Sequence, residues 1–191
     1  MTSFTPHDEP TSWLHPDIEV RRSRIEGRGL FATAAIRRGT VVARLRGREV
    51  STAELERLIA EADANPAAAY VDTIGLGEDT HLILAQDSNV HYGNHSCDPN
   101  LWHVGPVTLA ARRDVAAGEE VTVDYGTQAT VTGWSMPCAC GSPLCRHVVT
   151  GADWRRAELR ERYGRHWVAP LLRLIDADVE DLDNANGIPR T

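Results

Sequence analysis

Four cysteines constrain this chain of 191 residues more than any other feature of its sequence. Three lie together in "CACGSPLC", as Cys138, Cys140 and Cys145, with a C-x-C-x₄-C spacing. One intervening residue does not readily allow a disulfide between Cys138 and Cys140, but it can present two thiolates to one metal ion. Tetrahedral zinc then lacks one ligand, and Cys97 is the only other cysteine. We expect a closed, structural zinc site, with reduced and uncoordinated thiols as the alternative.

Cys97 also has a second interpretation, because it lies in "GNHSCDPNLW" two residues after His95. A cysteine nucleophile with a histidine base is a protease-like arrangement. The base of such a pair usually comes from a distant part of the fold, so this spacing disfavours the protease interpretation.

The composition predicts a compact globular protein with an acidic surface. The chain is 42% hydrophobic and 25% charged, with a formal net charge of −7. The arginines are spread along the chain, which argues against direct nucleic-acid binding, and the acidic charge favours a basic partner such as a Lys/Arg-rich peptide. We expect no membrane contact, because the N-terminus does not resemble a signal peptide and no apolar run reaches about 18 residues. A reducing cytoplasm is the expected location, and the sequence does not indicate an oligomeric state.

Hydrophobic periodicity predicts an α+β fold that is mainly β. "STAE" at Ser51–Glu54 is a capping box, and the apolar spacing after it predicts a helix over Thr52–Ala64. Two short helices, interrupted at Gly164 and Pro170, are expected after Asp153, and the acidic ending is expected to fray. The predicted strands are Ile18–Ile25, Thr40–Leu45, Tyr70–Ile74, His81–Leu84, Val107–Arg112 and Glu120–Asp124, with a glycine turn between the first two.

Four segments in series resemble the SET-domain protein lysine methyltransferases: "GRGLFA" (27–32), "NHSCDPN" (94–100), "GEEVTVDYG" (118–126) and "CACGSPLCR" (138–146). The last is similar to the post-SET zinc-binding segment of the family. The resemblance implies a SET fold of short strands with a pseudoknot that brings the second and third segments together. The resemblance covers residues 17–150 and implies a SET domain (17–127) and a post-SET segment (128–150). Composition and periodicity add an N-terminal arm (1–16), C-terminal helices (151–175) and an acidic flexible tail (176–191).

The resemblance also implies a cofactor, S-adenosylmethionine, and a structural zinc ion. In the family the glycine loop approaches the cofactor closely, "NHS" holds its amino-acid and adenine parts, and a residue after the last cysteine covers the adenine. Carried onto this sequence, the cofactor-binding residues are Gly27, Arg28, Gly29, Leu30, Asn94, His95, Tyr125 and Val148. The implied zinc ligands are Cys97, Cys138, Cys140 and Cys145. Read without the family, Asn94 is an ordinary turn residue.

Tyr125 is the implied catalytic residue, since the tyrosine of the family's "DY" lies near the transferred methyl group. Without the resemblance it would be a strand aromatic in the core. Tyr70 and Trp134 are candidate walls of the substrate channel, with simple core packing as the alternative for Trp134. The chain departs from the family at His91-Tyr92-Gly93, where an arginine and a phenylalanine are usual, and this departure concerns local packing.

The implied reaction is methyl transfer to the ε-amine of a lysine in a protein or peptide. A catalytically silent SET-fold module that binds a peptide or partner is the alternative from another class. The retained Gly27, Gly29, Asn94, His95 and Tyr125 argue against silence. Methylation of an acceptor other than a protein lysine stays open.

Overall fold

The computed structural model describes residues 11–65, 71–85, 88–131 and 133–185, with side chains up to residue 181. Short antiparallel strands form most of the regular structure in these residues, so the predicted α+β, mainly β class is confirmed. The helices are α1 (Thr52–Asp63), α2 (Ala157–Tyr163) and α3 (Ala169–Ala185). The strands are β1 (Trp13–Leu14), β2 (Ile18–Arg22), β3 (Arg28–Ala32), β4 (Val41–Arg44), β5 (Gly47–Val50), β6 (Thr73–Gly75), β7 (His81–Leu84), β8 (Leu101–Gly105), β9 (Thr108–Ala111), β10 (Glu120–Val121), β11 (Ser135–Pro137) and β12 (Val148–Thr150).

The strands are grouped in small sheets with the orders β1-β4-β9-β8, β10-β3-β2, β5-β7-β6 and β11-β12. Sheets this small cannot bury a hydrophobic face alone, so they share one core with the C-terminal helices. Leu30 of β3, Val42 of β4 and Leu82 of β7 are buried in that core. Leu159 of α2 and Leu171 of α3 pack in the same core. The helices after residue 150 are therefore part of the main body.

Helix α1 follows the sequence prediction to within one residue. The Ser51 hydroxyl accepts a hydrogen bond from the backbone N–H of Glu54, which satisfies one of the amide groups that a helix N-terminus leaves open. Leu55 is buried against the body of the protein. The capping box was sufficient to predict where α1 begins, because its hydrogen bond joins residues close together in the sequence.

The segment "GRGLFA" forms strand β3 where the sequence indicated a glycine turn. Gly27 has a φ of 41° and makes the turn, and β3 begins directly after it. The strand pairs with β2 on one side and β10 on the other, and it buries Leu30 and Ala32. Paired edges on both sides outweigh the low strand propensity of glycine.

The third family-like segment crosses the second one. Strand β10 covers only part of the predicted strand Glu120–Asp124, because Val123 leaves the sheet and forms a parallel bridge with His95. The Val123 N–H donates to the carbonyl of Asn94, and the Ser96 N–H donates to the carbonyl of Val123, both at 3.1 Å. This is the contact that the predicted pseudoknot requires. The strand expected from Tyr70 begins at Thr73, and Tyr70 lies outside the described residues.

Both ends differ from their predicted form. Within the expected N-terminal arm, β1 pairs with β4 and places Trp13 opposite Arg44. Helix α3 continues to Ala185, so residues 176–185 are helical and the predicted boundary of the flexible tail at 176 is wrong. Arg165 pairs with Asp176, and Arg160 pairs with Asp178 at 2.7 Å, so the acidic stretch is held against α2 and the turn after it. Residues 1–10 and 186–191 lie outside the described part of the chain.

Candidate active site and metal centre

The four cysteine sulfurs converge at one point. They all lie within 4.8 Å of one another, and Cys138 Sγ is 3.8 Å from Cys97 Sγ and 3.7 Å from Cys145 Sγ. A tetrahedron with Zn–S bonds of about 2.3 Å places its sulfurs about 3.8 Å apart. None of the four is in a disulfide. The donor set therefore fits zinc, with Cys97 as the fourth member, as the spacing predicted.

Backbone amide groups surround these sulfurs and favour a thiolate. The N–H of Cys97 points to Cys140 Sγ at 3.5 Å, and the N–H of Arg146 points to Cys97 Sγ at 3.3 Å. Burial works against the charge of Cys140, but backbone hydrogen bonds from Cys97 and Ser142 lower its pKa to about 7. Burial raises the pKa of Cys97 to about 11. A thiolate buried this way needs a cation, and a zinc ion supplies one.

His95 lies against Cys97 but cannot act as its base. The Tyr125 backbone N–H donates to His95 Nδ1 at 3.0 Å, so the ring proton is on Nε2, which lies 3.3 Å from Cys97 Sγ. The imidazole thus donates to the sulfur. Burial lowers the pKa of His95 to about 4, and Cys97 has no exposed surface. These contacts rule out the protease interpretation and make His95 a support of the sulfur cluster.

A buried charged network joins the cysteine segment to the "DY" segment. Arg146, next to Cys145, donates to both carboxylate oxygens of Asp124 at 2.7 and 2.6 Å, and its Nε lies 3.0 Å from Asp153 Oδ2. The Tyr163 hydroxyl of α2 donates to Asp124 Oδ2 at 2.8 Å. Burial opposes the charge of Arg146, but the pairing with Asp124 raises its pKa above the usual range. Asp124 is next to Tyr125, so the network fixes the position of the tyrosine.

The glycine loop is fixed by Asn94. The Asn94 Nδ2 group donates to the carbonyl of Arg28 at 3.0 Å and to Glu120 Oε1 at 2.8 Å. Glu120 in turn accepts from the Ser23 hydroxyl at 2.8 Å. A Cβ atom at Gly29 would overlap Glu120 Oε1, so this network needs a glycine there. The carbonyl of Glu26 is a further acceptor for the Asn94 amide group.

Tyr125 lies where the three segments meet. Its hydroxyl donates to the carbonyl of Gly93 at 2.8 Å, and its ring lies 5.4 Å from that of His95, centroid to centroid. The structure therefore brings Tyr125 next to "NHS" despite their separation in sequence, and Asn94 of that segment holds the glycine loop. Asp124 caps the short 3₁₀ turn Tyr125–Thr127 by accepting from the Gly126 N–H.

A cavity opens beside Tyr125, and Trp134 forms part of its wall. Trp134 also packs against the cysteine cluster, and its role as a wall of the substrate channel stays a prediction. A second, interior cavity shares part of this wall. The residues common to both cavities are Asp72, Tyr125 and Gln128.

The local departure from the family has a clear packing role. The guanidinium of Arg28 stacks on the ring of Tyr92 at 4.5 Å and donates to its hydroxyl. His91 contacts Asp72 Oδ2 at 2.9 Å and the Ala85 carbonyl at 2.6 Å. Sequence reasoning assigned neither contact.

Val148 lies at the start of β12, beside the cysteine cluster, with its side chain half exposed. An apolar residue exposed at this position is suited to covering a ligand. Its role stays a prediction.

Several residues of the site were missed from the sequence. They act through tertiary contacts rather than through a motif of their own. Glu120 lies inside the recognised "GEEVTVDYG" segment, and Arg146 directly follows the last cysteine. Their positions in the sequence could therefore have indicated that these two residues belong to the site. The missed residues are Ser23, Asp72, His91, Glu120, Arg146, Asp153 and Tyr163.

Comparison with known proteins agrees with this geometry. A family model described as the SET domain matches residues 27–126. Histone-lysine N-methyltransferase ash1 of Drosophila melanogaster is 29% identical over 150 residues, covering 73% of this chain and 7% of the relative. Histone-lysine N-methyltransferase SUVR5 of Arabidopsis thaliana is 30% identical over 166 residues, covering 72% of this chain and 12% of the relative. The chain thus spans a small part of these relatives.

The solved methyltransferase domain of human Histone-lysine N-methyltransferase SETMAR has a similar fold. The TM-score is 0.58 at 21% sequence identity, and the match covers 72% of this chain and 58% of that one. At 21% identity this comparison shows a similar fold and nothing more.

The expected cytoplasmic location is wrong in view of these relatives. Their names identify them as histone-lysine methyltransferases, and histones are the proteins that wrap DNA in chromatin. Cysteine usage had indicated only a reducing compartment, and that property does not single out the cytoplasm. Within the part of the chain that the structure describes, no helix is both long and apolar enough to cross a membrane.

Proposed function

Because the chain belongs to the SET-domain family, we propose that it transfers methyl groups from S-adenosylmethionine to the ε-amine of a lysine in a protein. The observation that carries this proposal is the contact of Tyr125 with Gly93, which precedes Asn94, while Asn94 in turn holds the glycine loop. Three segments distant in sequence are thereby linked beside a cavity.

The cofactor fits the surface that these segments form. It supplies a methyl group on a sulfonium centre. Nothing lies within 4 Å of a Cβ position at Gly27, so the backbone of this turn would be open to the bound molecule. Val148 would cover the adenine from the cysteine segment. The residues that would hold the cofactor are Gly27, Arg28, Gly29, Leu30, Asn94, His95, Tyr125 and Val148.

The zinc site has a structural role in this proposal. Cys97, Cys138, Cys140 and Cys145 fill all four positions of a tetrahedral ion, so no position is left for water or substrate. The ion ties residues 138–148 to the loop that carries Asn94 and His95. Metal binding and formation of the cofactor surface are then coupled.

The attacking lysine must be neutral. With an ordinary pKa of about 10.4, roughly one lysine in a thousand is neutral near pH 7.4, which is a cost of about 4 kcal/mol. Desolvation in the cavity and the nearby sulfonium both lower the pKa of the amine, so no dedicated base is required. Alignment of the amine with the methyl group contributes the larger part of the rate. Tyr125 would orient both groups through its hydroxyl.

The substrate that we propose is a histone lysine. The relatives carry the name histone-lysine N-methyltransferase. The net charge of −7 is suited to a basic partner, because opposite charge steers encounter. The proposed divisions are an arm before residue 17, a SET domain (17–127), a post-SET segment (128–150) and a helical region that extends to residue 185.

The test is incubation of zinc-loaded protein with isotopically labelled S-adenosylmethionine and purified core histones, followed by mass spectrometry. We expect label on lysine side chains. Replacing Tyr125 with phenylalanine should lower kcat about a hundredfold, because a misplaced methyl group reacts slowly, while cofactor affinity changes little. The Tyr92→Phe variant is the control, since Tyr92 contacts Arg28 at the surface. Unchanged turnover in Tyr125→Phe, or no labelled lysine with the wild-type protein, would contradict the proposal.

A further inference from the structure

Asp72 has a position that the proposed reaction does not yet explain. It lies in the walls of both cavities that flank Tyr125, and among the described residues it is the only charged side chain in either wall. The other residues of the cavity that includes Trp134 are uncharged, among them Gln128 and Val131. Asp72 is therefore the only group that brings a formal charge to either wall among the described residues.

His91 holds Asp72 in this position. Its Nδ1 lies 2.9 Å from Asp72 Oδ2, and its Nε2 lies 2.6 Å from the carbonyl of Ala85. These two contacts fix the ring of His91 between Asp72 and the Ala85 carbonyl, and the ring holds the carboxylate in place. His91 is part of the segment that departs from the family pattern, so the pair comes from the chain's own sequence.

The residues in the wall of the cavity that includes Trp134 are chemically suited to a lysine side chain. Trp134, Val131 and Ala129 provide apolar surface for the methylene groups. Asp72 supplies a carboxylate for the charged end, and only one of its oxygens is used by His91. A carboxylate binds a Lys ammonium through a hydrogen bond between two opposite charges, and a neutral acceptor of the same size binds it more weakly.

We propose that Asp72 is a specificity-determining residue that accepts a hydrogen bond from the ε-ammonium of the entering lysine, with His91 as its positioning residue. The inference rests on the proposed function and identifies the group that selects its substrate. The contact precedes the loss of the ammonium proton to water. The carboxylate favours the charged form of the amine on entry, and desolvation and the sulfonium favour the neutral form that reacts.

The first test is the kinetics of Asp72→Asn with core histones and S-adenosylmethionine. Asparagine keeps the shape and removes the charge, so KM for histones should rise about tenfold or more while kcat is largely retained. Asp176→Asn is the matched control, because it removes the same charge from an exposed pair with Arg165. An unchanged KM in Asp72→Asn, beside an active wild-type protein, overturns this inference alone. Absence of lysine methylation by the wild-type protein overturns the proposed function and this inference with it.

The second test separates recognition from structural support. The n-butylammonium ion mimics the end of a lysine side chain, and n-butanol is its neutral counterpart. The wild-type protein should be inhibited more strongly by n-butylammonium, and this preference should vanish in Asp72→Asn and weaken in His91→Gln. A folding defect alone would weaken both inhibitors equally. Equal inhibition of the wild-type protein by both compounds, or a preference retained in Asp72→Asn, overturns the inference.

Discussion

Gly29 is required by the protein itself as well as by the proposed cofactor. A Cβ atom there would overlap Glu120 Oε1 and lie 3.1 Å from Asn94 Nδ2. A free glutamate could move aside, but Glu120 is held by hydrogen bonds from Ser23 and Asn94. The absence of a side chain at Gly29 therefore leaves room for the hydrogen bonds among Ser23, Glu120 and Asn94 under the loop.

Replacing Gly29 with alanine should disrupt the hydrogen bonds of Glu120 with Ser23 and Asn94. We expect a loss of about 1–3 kcal/mol in the free energy of unfolding, as for other overpacked sites, and at least about a tenfold loss of S-adenosylmethionine affinity. Gly39→Ala is the control: Gly39 has a φ of 83° with nothing within 4 Å, so alanine there adds only backbone strain of about 1 kcal/mol. Calorimetric titration and thermal unfolding measure both effects. Equal cofactor affinity in the two variants would contradict the role of Gly29.

Helix α2 lies beyond the matched family region but contacts the centre of the site. Its Tyr163 hydroxyl donates to Asp124, and Arg162 donates to the carbonyl of Cys97 at 2.9 Å. Tyr163 is 1% exposed, and Asp124 also accepts the paired hydrogen bonds of Arg146. The helix is therefore a support for the Tyr125 turn and the cysteine cluster together.

Replacing Tyr163 with phenylalanine should leave Asp124 without one of its buried donors. The expected cost is about 1–2 kcal/mol in the free energy of unfolding, together with a lower kcat because the Tyr125 turn loosens. Denaturant unfolding and the histone methylation assay measure the two effects. The Tyr92→Phe control removes a hydroxyl from a contact with the exposed Arg28 and should change neither by much. If Tyr163→Phe matched this control, α2 would have no part in the site.

The elements that the sequence predicted are those specified by local signals. The capping box at Ser51 sets the start of α1, and a short run of apolar residues bounded by turn residues identifies β7. Strand β3 was missed because its glycines read as a turn, and its pairing with β2 and β10 is tertiary. The end of α3 was missed because its acidic residues are stabilised by arginines from another element.

The residues of the site also fall into those that the sequence predicts and those that only the fold brings together. The cysteines and Tyr125 carry recognisable spacing or motif, and the structure places them together. Arg146 ends a recognised segment and Asp72 lies in none, but the roles of both depend on the neighbours that the fold gives them. Sequence reasoning finds the groups that do chemistry more readily than those that position them.

In the molecule as a whole, the cysteine cluster joins segments that are far apart in the chain. Cys97 follows Asn94 and His95, while Cys138, Cys140 and Cys145 precede the strand that starts at Val148. We expect that without a zinc ion the sulfurs have no common partner and residues 138–148 lose their attachment. The central claim is that zinc assembles these segments into a single methyl-donor site.

The most direct measurement is calorimetric titration of S-adenosylmethionine into zinc-loaded protein, into protein stripped with a chelator, and into the Cys97→Ser variant. Ser142→Ala is the control, since it removes a hydroxyl from the same segment without removing a ligand. We predict saturable binding at one site in the zinc-loaded protein and in the control, and weak or no binding in the stripped protein and in Cys97→Ser. Absence of binding by the zinc-loaded protein, or full affinity after the zinc is removed, would contradict the account.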